Sequence, residues 1–232
     1  MSTLYLVATP IGNLEDITLR ALNVLKSVSV VFCEDQRVTK RLLEIYQIKT
    51  PTRIYHQHSN DKQINELLEF LKNKNDVAVV TDAGTPGISD PGNLLVNLVR
   101  CELPEVEVVP IPGASAVITL LSASGLPTDH FEFLGFIPHK KGRQTFWKYI
   151  AECEHTTVFY ESCHRIAKAL QEAEINLEPE RELVVGRELT KKFESIIVGG
   201  RDEVIKKVLA EPLKGEYVVA IAPRKNAKLN AK

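Results

Sequence analysis

The chain has 232 residues, 44% of them hydrophobic and 25% charged, with a formal net charge of −1. This is ordinary globular composition, and the near-neutral balance argues against strong nonspecific nucleic-acid binding while leaving room for a local basic patch. No apolar run approaches the ~18 residues of a membrane-spanning helix, and the first residues lack a charged leader or cleavage signal, so a cytoplasmic protein is expected.

The chain opens on Leu4-Tyr-Leu-Val-Ala8, a run typical of a strand buried on both faces. The breaker loop Thr9-Pro-Ile-Gly-Asn13 follows it. The pattern then predicts a helix over 18–27, a strand over 28–32, a helix over 37–46 and a short strand over 53–55. Asp61 is read as the cap of a helix reaching about residue 74, ahead of a strand over 77–80. Next comes Thr81-Asp-Ala-Gly-Thr-Pro-Gly-Ile-Ser-Asp-Pro-Gly92. It is too rich in Gly, Pro and Asp for helix or strand, until Asp90 and Pro91 look like the N-cap and first position of a helix. A strand over 106–111 leads into Pro112-Gly-Ala-Ser115. There Ser115 is placed to cap a helix running to Ser124, with Gly125 as its stop.

Three strands thus end in Pro/Gly loops, as expected where loop tips meet at the carboxyl edge of a parallel sheet to hold a ligand. The 81–92 loop lacks the phosphate-loop pattern, and no strand is followed by G-x-G-x-x-G, so neither a nucleoside triphosphatase nor a Rossmann site is indicated. The second half differs. Strands are predicted over 131–136, 156–160, 182–186, 194–198 and 216–222, with helices over 145–152, 165–173 and 202–210. The strands at 182–186 and 194–198 are too close for a helical crossover and should pair antiparallel. The expected architecture is α/β with two domains, a mainly parallel one over 1–114 and a mixed one over 126–222. A linker helix region over 115–125 joins them, and a basic tail covers 223–232.

Several residues could carry chemistry. Glu34 and Asp35 follow the second strand, either as acids favoured at a helix N-terminus or as a general base and substrate clamp. Arg37, Lys40 and Arg41 share about one helical turn and could grip phosphates. Lys140, Lys141 and Arg143 lie in a basic loop between Phe136 and Trp147, where bases could stack. His56 and His58 share a strand face, but no third residue is spaced to complete a metal site. Arg187 and Glu188 either pair at the surface or face the ligand from the second domain. Cys33, Cys101, Cys153 and Cys163 are widely spaced without C-x-x-C and read as buried free thiols.

Taken together, the segments at 4–18, 33–37, 81–92, 110–116 and 186–190 resemble the tetrapyrrole methylase superfamily, the class III S-adenosylmethionine methyltransferases. The resemblance is closest to its ribosomal RNA branch, the small-subunit methyltransferase I group. It implies two α/β domains with S-adenosylmethionine folded into the cleft between them. Cofactor contacts carry over to Pro10, Ile11, Ala83, Gly84, Thr85, Ile88, Ser115 and Ala116, to Tyr160 or Glu161, and to Arg187 or Glu188. It also implies methyl transfer to the ribose 2′-hydroxyl of a decoding-centre cytidine in 16S rRNA, on naked rRNA or an assembled 30S subunit, and a homodimer. Glu34 and Asp35 are then the candidates for accepting the hydroxyl proton, and Arg37 for positioning ribose or phosphate. Lys40, Arg41, Lys140, Lys141 and Arg143 are the expected RNA contacts. Gln36 departs from the family pattern, which usually has Thr there. Two rival readings remain at this level: a small-molecule tetrapyrrole methylase, favoured by tight porphyrinoid binding, and a catalytically silent ribosome-binding protein that keeps the cofactor pocket.

Overall fold

The structure, a computed structural model, describes residues 1–55, 61–89 and 92–224. The expectations for His56 and His58, for Asp90 and Pro91, for the Asp61 cap and for the tail beyond residue 224 lie outside the described residues or side chains. The chain forms two compact units, Met1–Ser115 and Ala116–Lys232.

The first unit alternates strand and helix. It contains β1 (Thr3–Val7), α1 (Leu19–Ser27), β2 (Val30–Cys33), α2 (Gln36–Ile45), β3 (Thr52–Ile54), α3 (Asp61–Lys72), β4 (Val77–Val80), α4 (Gly92–Glu102) and β5 (Glu107–Ile111). The strands lie in the order β3-β2-β4-β1-β5, and every pairing is parallel. Successive side chains of a strand point to opposite faces, so an uninterrupted apolar run needs a cover on each. Leu4, Phe32, Val77 and Val79 pack with Leu67 and Leu71 of α3 and with Leu95 and Val99 of α4. Val7, Val31, Ala78 and Val80 pack with Ala21 and Leu25 of α1 and with Leu43 of α2. α1 and α2 begin at polar caps. The Ala21 N–H donates to Thr18 Oγ1 at 3.0 Å, and the Arg37 N–H to Asp35 Oδ1 at 2.8 Å.

The second unit begins with α5 (Ala116–Ser122), which contacts its central strand. Then come β6 (Phe131–Phe136), α6 (Arg143–Glu152), β7 (Thr156–Ser162), α7 (Ile166–Asn176), β8 (Glu182–Arg187), β9 (Ser195–Gly200), α8 (Arg201–Ala210) and β10 (Glu216–Ile221). The sheet order is β6-β7-β10-β8-β9, and only β6 and β7 run parallel. The pair expected to be antiparallel is so, with Val184 opposite Val198. The core is built from Trp147, Ile150, Phe159, Leu170, Val185, Val204 and Val219.

Three buried arginines brace this unit. Arg181 donates to the carbonyls of Ile150 (2.9 Å), Cys153 (3.2 Å) and Ala222 (2.6 Å). Arg201 donates to the carbonyls of Glu174 and Leu177. The last carbonyls of a helix lack regular intrahelical partners, and guanidinium groups from the residue before β8 and from the start of α8 donate to carbonyls at the ends of α6 and α7. Arg143 is the third. It is 6% exposed and forms an ion pair with Glu172 at 2.7 Å, while the Trp147 indole N–H donates to the same carboxylate. This corrects the reading of Arg143 and Trp147 as RNA contacts: both face the core, joined by an acid 25 to 29 positions away. The cysteines also need correction. All four are free thiols, but only Cys33 and Cys153 are buried, and Cys101 is exposed.

Candidate active site

The carboxyl edge of the first sheet gathers the loops after β1, β4 and β5. Thr9 and Gly84 form an antiparallel bridge, Thr9 N–H donating to the Gly84 carbonyl at 2.9 Å and Gly84 N–H to the Thr9 carbonyl at 3.1 Å. Thr85 Oγ1 donates to the Ala114 carbonyl at 3.3 Å, which ties the β4 loop to the β5 loop. Gly84 has φ +83°, which a side chain rarely adopts, and a Cβ there would stand 3.6 Å from Ile11 Cγ2 and 3.8 Å from the Ala114 oxygen. The first-unit positions Pro10, Ile11, Ala83, Gly84, Thr85 and Ser115 therefore belong to one bridged set of loops. Ala83 and Ile88 are exposed, Ile88 at 51%, so apolar side chains face outward beside open backbone. Such a surface suits a flat, partly apolar ligand held largely by main-chain groups. Ala116 opens α5 at the start of the second unit.

An acidic pair stands on the same edge. β2 and β4 are neighbours with Cys33 opposite Val80, so Asp35 and Asp82 each follow their strand by two residues. The Asp35 N–H donates to Asp82 Oδ1 at 3.1 Å. Arg37 turns back on Asp35 and donates to both of its carboxylate oxygens, with Nη2 2.6 Å from Oδ2. The two acids titrate in opposite directions. Hydrogen bonds from Arg37, with its charge, hold Asp35 down at about 2. Asp82 is raised, first by partial removal of its carboxyl from water and then by the Asp35 charge. A carboxylate near 2 that is bound to a guanidinium is a weak proton acceptor, which corrects the assignment of Asp35 as a general base. The structure instead makes Asp35 the N-cap of α2 and the anchor of Arg37. Asp82 was passed over in the sequence because only the pairing of β2 with β4 gives it a charged neighbour. Glu34 is half-buried at the end of β2, and Lys40 and Arg41 are exposed on α2.

The split between the two acids is open to direct measurement. Carboxyl carbon shifts followed by NMR should show Asp35 ionised down to about 2 and Asp82 taking up its proton above the usual 3.8. In Arg37→Ala, Asp35 should move back toward 3.8. An Asp35 that titrates normally in the intact chain would remove the argument.

In the second unit, two of the other expected positions fall in one row of the sheet. Glu161 on β7 and Arg187 on β8 both lie opposite Tyr217 of β10, so the three share one row of the sheet. Glu161 is 1% exposed, pairs with Arg165 at 3.2 Å and accepts the Ser162 N–H at 2.8 Å. Tyr160 packs edge-on against Phe133 and Phe136. Arg187 and Glu188 do not pair with each other. Arg187 binds Glu211 at 2.9 Å and the Lys214 carbonyl at 2.9 Å, while Glu188 pairs with Lys191 at 2.9 Å. Gly215 has φ +85°, and a Cβ there would fall 2.3 Å from Glu188 Cδ, so the turn closes on Glu188 only without a side chain. Lys140 and Lys141 are exposed ahead of α6, and Phe136 is 53% exposed near them.

The model of the family described as Tetrapyrrole (Corrin/Porphyrin) Methylases matches residues 3–205. The chain belongs to the tetrapyrrole methylase family. It is 44% identical over 223 residues to the "Ribosomal RNA small subunit methyltransferase I" of Synechocystis sp., covering 96% of this chain and 79% of that one. It is 50% identical over 194 residues to the protein of the same name from Vibrio cholerae, covering 83% and 67%. Among solved structures, a uroporphyrin-III C-methyl transferase from Thermus thermophilus complexed with S-adenyl homocysteine shares the fold. Its TM-score is 0.64 at 18% identity, over 95% of this chain and 97% of that one. The family assignment agrees with the two α/β sheets and with the motif resemblance, and it makes the chain a methyltransferase. Among the described residues, no helix is long and apolar enough to cross a membrane.

Proposed function

We propose that this tetrapyrrole methylase family member transfers a methyl group from S-adenosylmethionine to the ribose 2′-hydroxyl of a decoding-centre cytidine in small-subunit rRNA. It acts in the cytoplasm as a homodimer, on rRNA or the 30S subunit. The observation that carries the reading is the 44% and 50% identity to rRNA small-subunit methyltransferases over most of the chain. The first-unit loops fit the cofactor: Gly84 leaves main chain open to close approach, and Ile11 and Ile88 offer apolar surface beside it. Pro10, Ala83, Thr85 and Ser115 complete that wall in the first unit. When bound, S-adenosylmethionine supplies a methyl group already activated by its sulfonium.

The chain's own work is to align the ribose oxygen and remove its proton. Asp82 accepts that proton, Arg37 positions ribose or phosphate, and Asp35 holds Arg37 in place. Glu34 stands on the same edge as a further acid. Lys40, Arg41, Lys140 and Lys141 neutralise RNA phosphates, and exposed Phe136 offers a ring on which a base can stack. The test is to incubate the protein with methyl-labelled S-adenosylmethionine and small subunits from cells lacking the modification, then identify the labelled nucleoside. Labelled 2′-O-methylcytidine is expected. Label in a base, or none although the cofactor binds, would overturn the reading.

A further inference from the structure

Away from these residues, at the opposite end of β6 and β7, the second unit assembles a thiol, an imidazole and a carboxylate. Cys153 closes α6, His155 immediately precedes β7, and Glu132 is the second residue of β6. The parallel pairing of β6 with β7, with Phe131 opposite Thr156, brings Glu132 back beside the α6–β7 connection. Their ligand atoms all lie within 4.8 Å of one another. His155 Nε2 is 3.2 Å from Cys153 Sγ and 3.1 Å from Glu132 Oε2.

Cys153 Sγ lies beside the ring, 3.5 Å from His155 Nδ1 and 3.2 Å from Nε2, so the thiol is not aligned with the lone pair of either nitrogen. A cation between the three satisfies them together. With bonds of ~2.3 Å to sulfur and ~2.0–2.1 Å to nitrogen or oxygen, a tetrahedral ion sets its ligand atoms roughly 3.3–3.6 Å apart. The observed separations of 3.2 and 3.1 Å are within a few tenths of that spacing.

The three residues are also held in place by their surroundings. The Cys153 carbonyl accepts from Arg181 Nη2 at 3.2 Å and from the Arg224 N–H at 2.8 Å. The His155 ring stacks on His130 at 4.2 Å between centroids, and the Tyr149 hydroxyl donates to Glu132 Oε2. Cys153 is buried, whereas the His155 and Glu132 side chains are 21% and 40% exposed, so an ion has a way in. Thiolate with imidazole selects a thiophilic divalent ion such as Zn²⁺ over Mg²⁺ or Ca²⁺, which take oxygen donors.

We infer that Glu132, Cys153 and His155 bind one thiophilic divalent cation through three protein ligands, with water in the fourth position. Binding converts the Cys153 thiol to thiolate, and the proton goes to solvent.

The experiment titrates the full chain, stripped of metal by a chelator, with Co²⁺ as a spectroscopic substitute and then with Zn²⁺. One equivalent of Co²⁺ should produce a thiolate-to-cobalt charge-transfer band that one equivalent of Zn²⁺ displaces. The band should vanish in Cys153→Ser and persist when Cys33, Cys101 and Cys163 are changed to Ser. His155→Ala and Glu132→Gln should each weaken binding by at least ~10-fold. Circular dichroism checks that the variants are folded, and the wild-type titration decides the matter even if Cys153→Ser does not fold. No band in the wild type, or a band that survives Cys153→Ser, overturns the inference.

Discussion

Asp82→Asn is expected to lower kcat by roughly 10²–10⁴-fold, the usual worth of a positioned general base, with the KM for S-adenosylmethionine nearly unchanged. The substitution keeps the shape and the acceptor that receives the Asp35 N–H at 3.1 Å, so the loop should hold its place. What it removes is a carboxylate whose affinity for a proton is higher than normal. The pH dependence has a definite sign. A base must be unprotonated to act, so activity falls as pH drops through the raised Asp82 pKa, and that limb of the profile should be absent from the residual activity of Asp82→Asn. Asp35→Asn should behave differently. It releases Arg37 from its bidentate clamp and should act through RNA positioning, raising the KM for the RNA more than it lowers kcat. An Asp82→Asn enzyme within about threefold of wild type would exclude Asp82 as the proton acceptor, because even weak general-base catalysis exceeds that factor.

The second large effect is on stability. Arg181→Met should cost about 2–4 kcal/mol, read as a lower urea midpoint at unchanged m-value. Burial disfavours the Arg181 charge and lowers its pKa, so the wild-type guanidinium carries a desolvation cost that Met would relieve. Against that, the carbonyls of Ile150, Cys153 and Ala222 lose a charged donor, although Ile150 and Cys153 keep the N–H groups of Cys153 and Arg224. Hydrogen bonds to a charged group are worth roughly 1.5–3 kcal/mol each, so losing three outweighs the relief. Arg181→Lys should recover little, because one ammonium on a flexible stem cannot reproduce a planar fork spanning the end of α6 and the end of β10. A neutral Arg181→Met would mean that water replaces the guanidinium at those carbonyls.

Much of the first unit was legible because buried parallel strands leave an unmistakable trace. Val30–Cys33 and Val77–Val80 are apolar throughout, and Gly, Pro and capping residues punctuate them. The antiparallel β8–β9 pair was legible for a plainer reason, since its connection is too short for anything else. Charge pairing was less legible, because which charged groups meet is set by the fold. Arg143 looked like part of a basic loop beside Lys140 and Lys141, but its partner Glu172 comes from the next helix. Asp35 looked like an active base, but Arg37, two residues on, folds back to neutralise it. Asp82 and the Cys153–His155–Glu132 group depend on which strands are adjacent, information that periodicity does not contain.

The strand order of the second sheet also bears on how the chain folds during synthesis. The first sheet has all five of its strands once Ile111 has emerged, whereas β10, last of the described strands, fills the middle of the second. Until Glu216–Ile221 leaves the ribosome, β7 and β8 each present an unpaired edge toward the gap that strand will occupy. Such edges pair readily with other chains. The nascent protein therefore passes through a stage in which a finished first unit carries an open second one, and chaperone binding or aggregation should be concentrated at that stage.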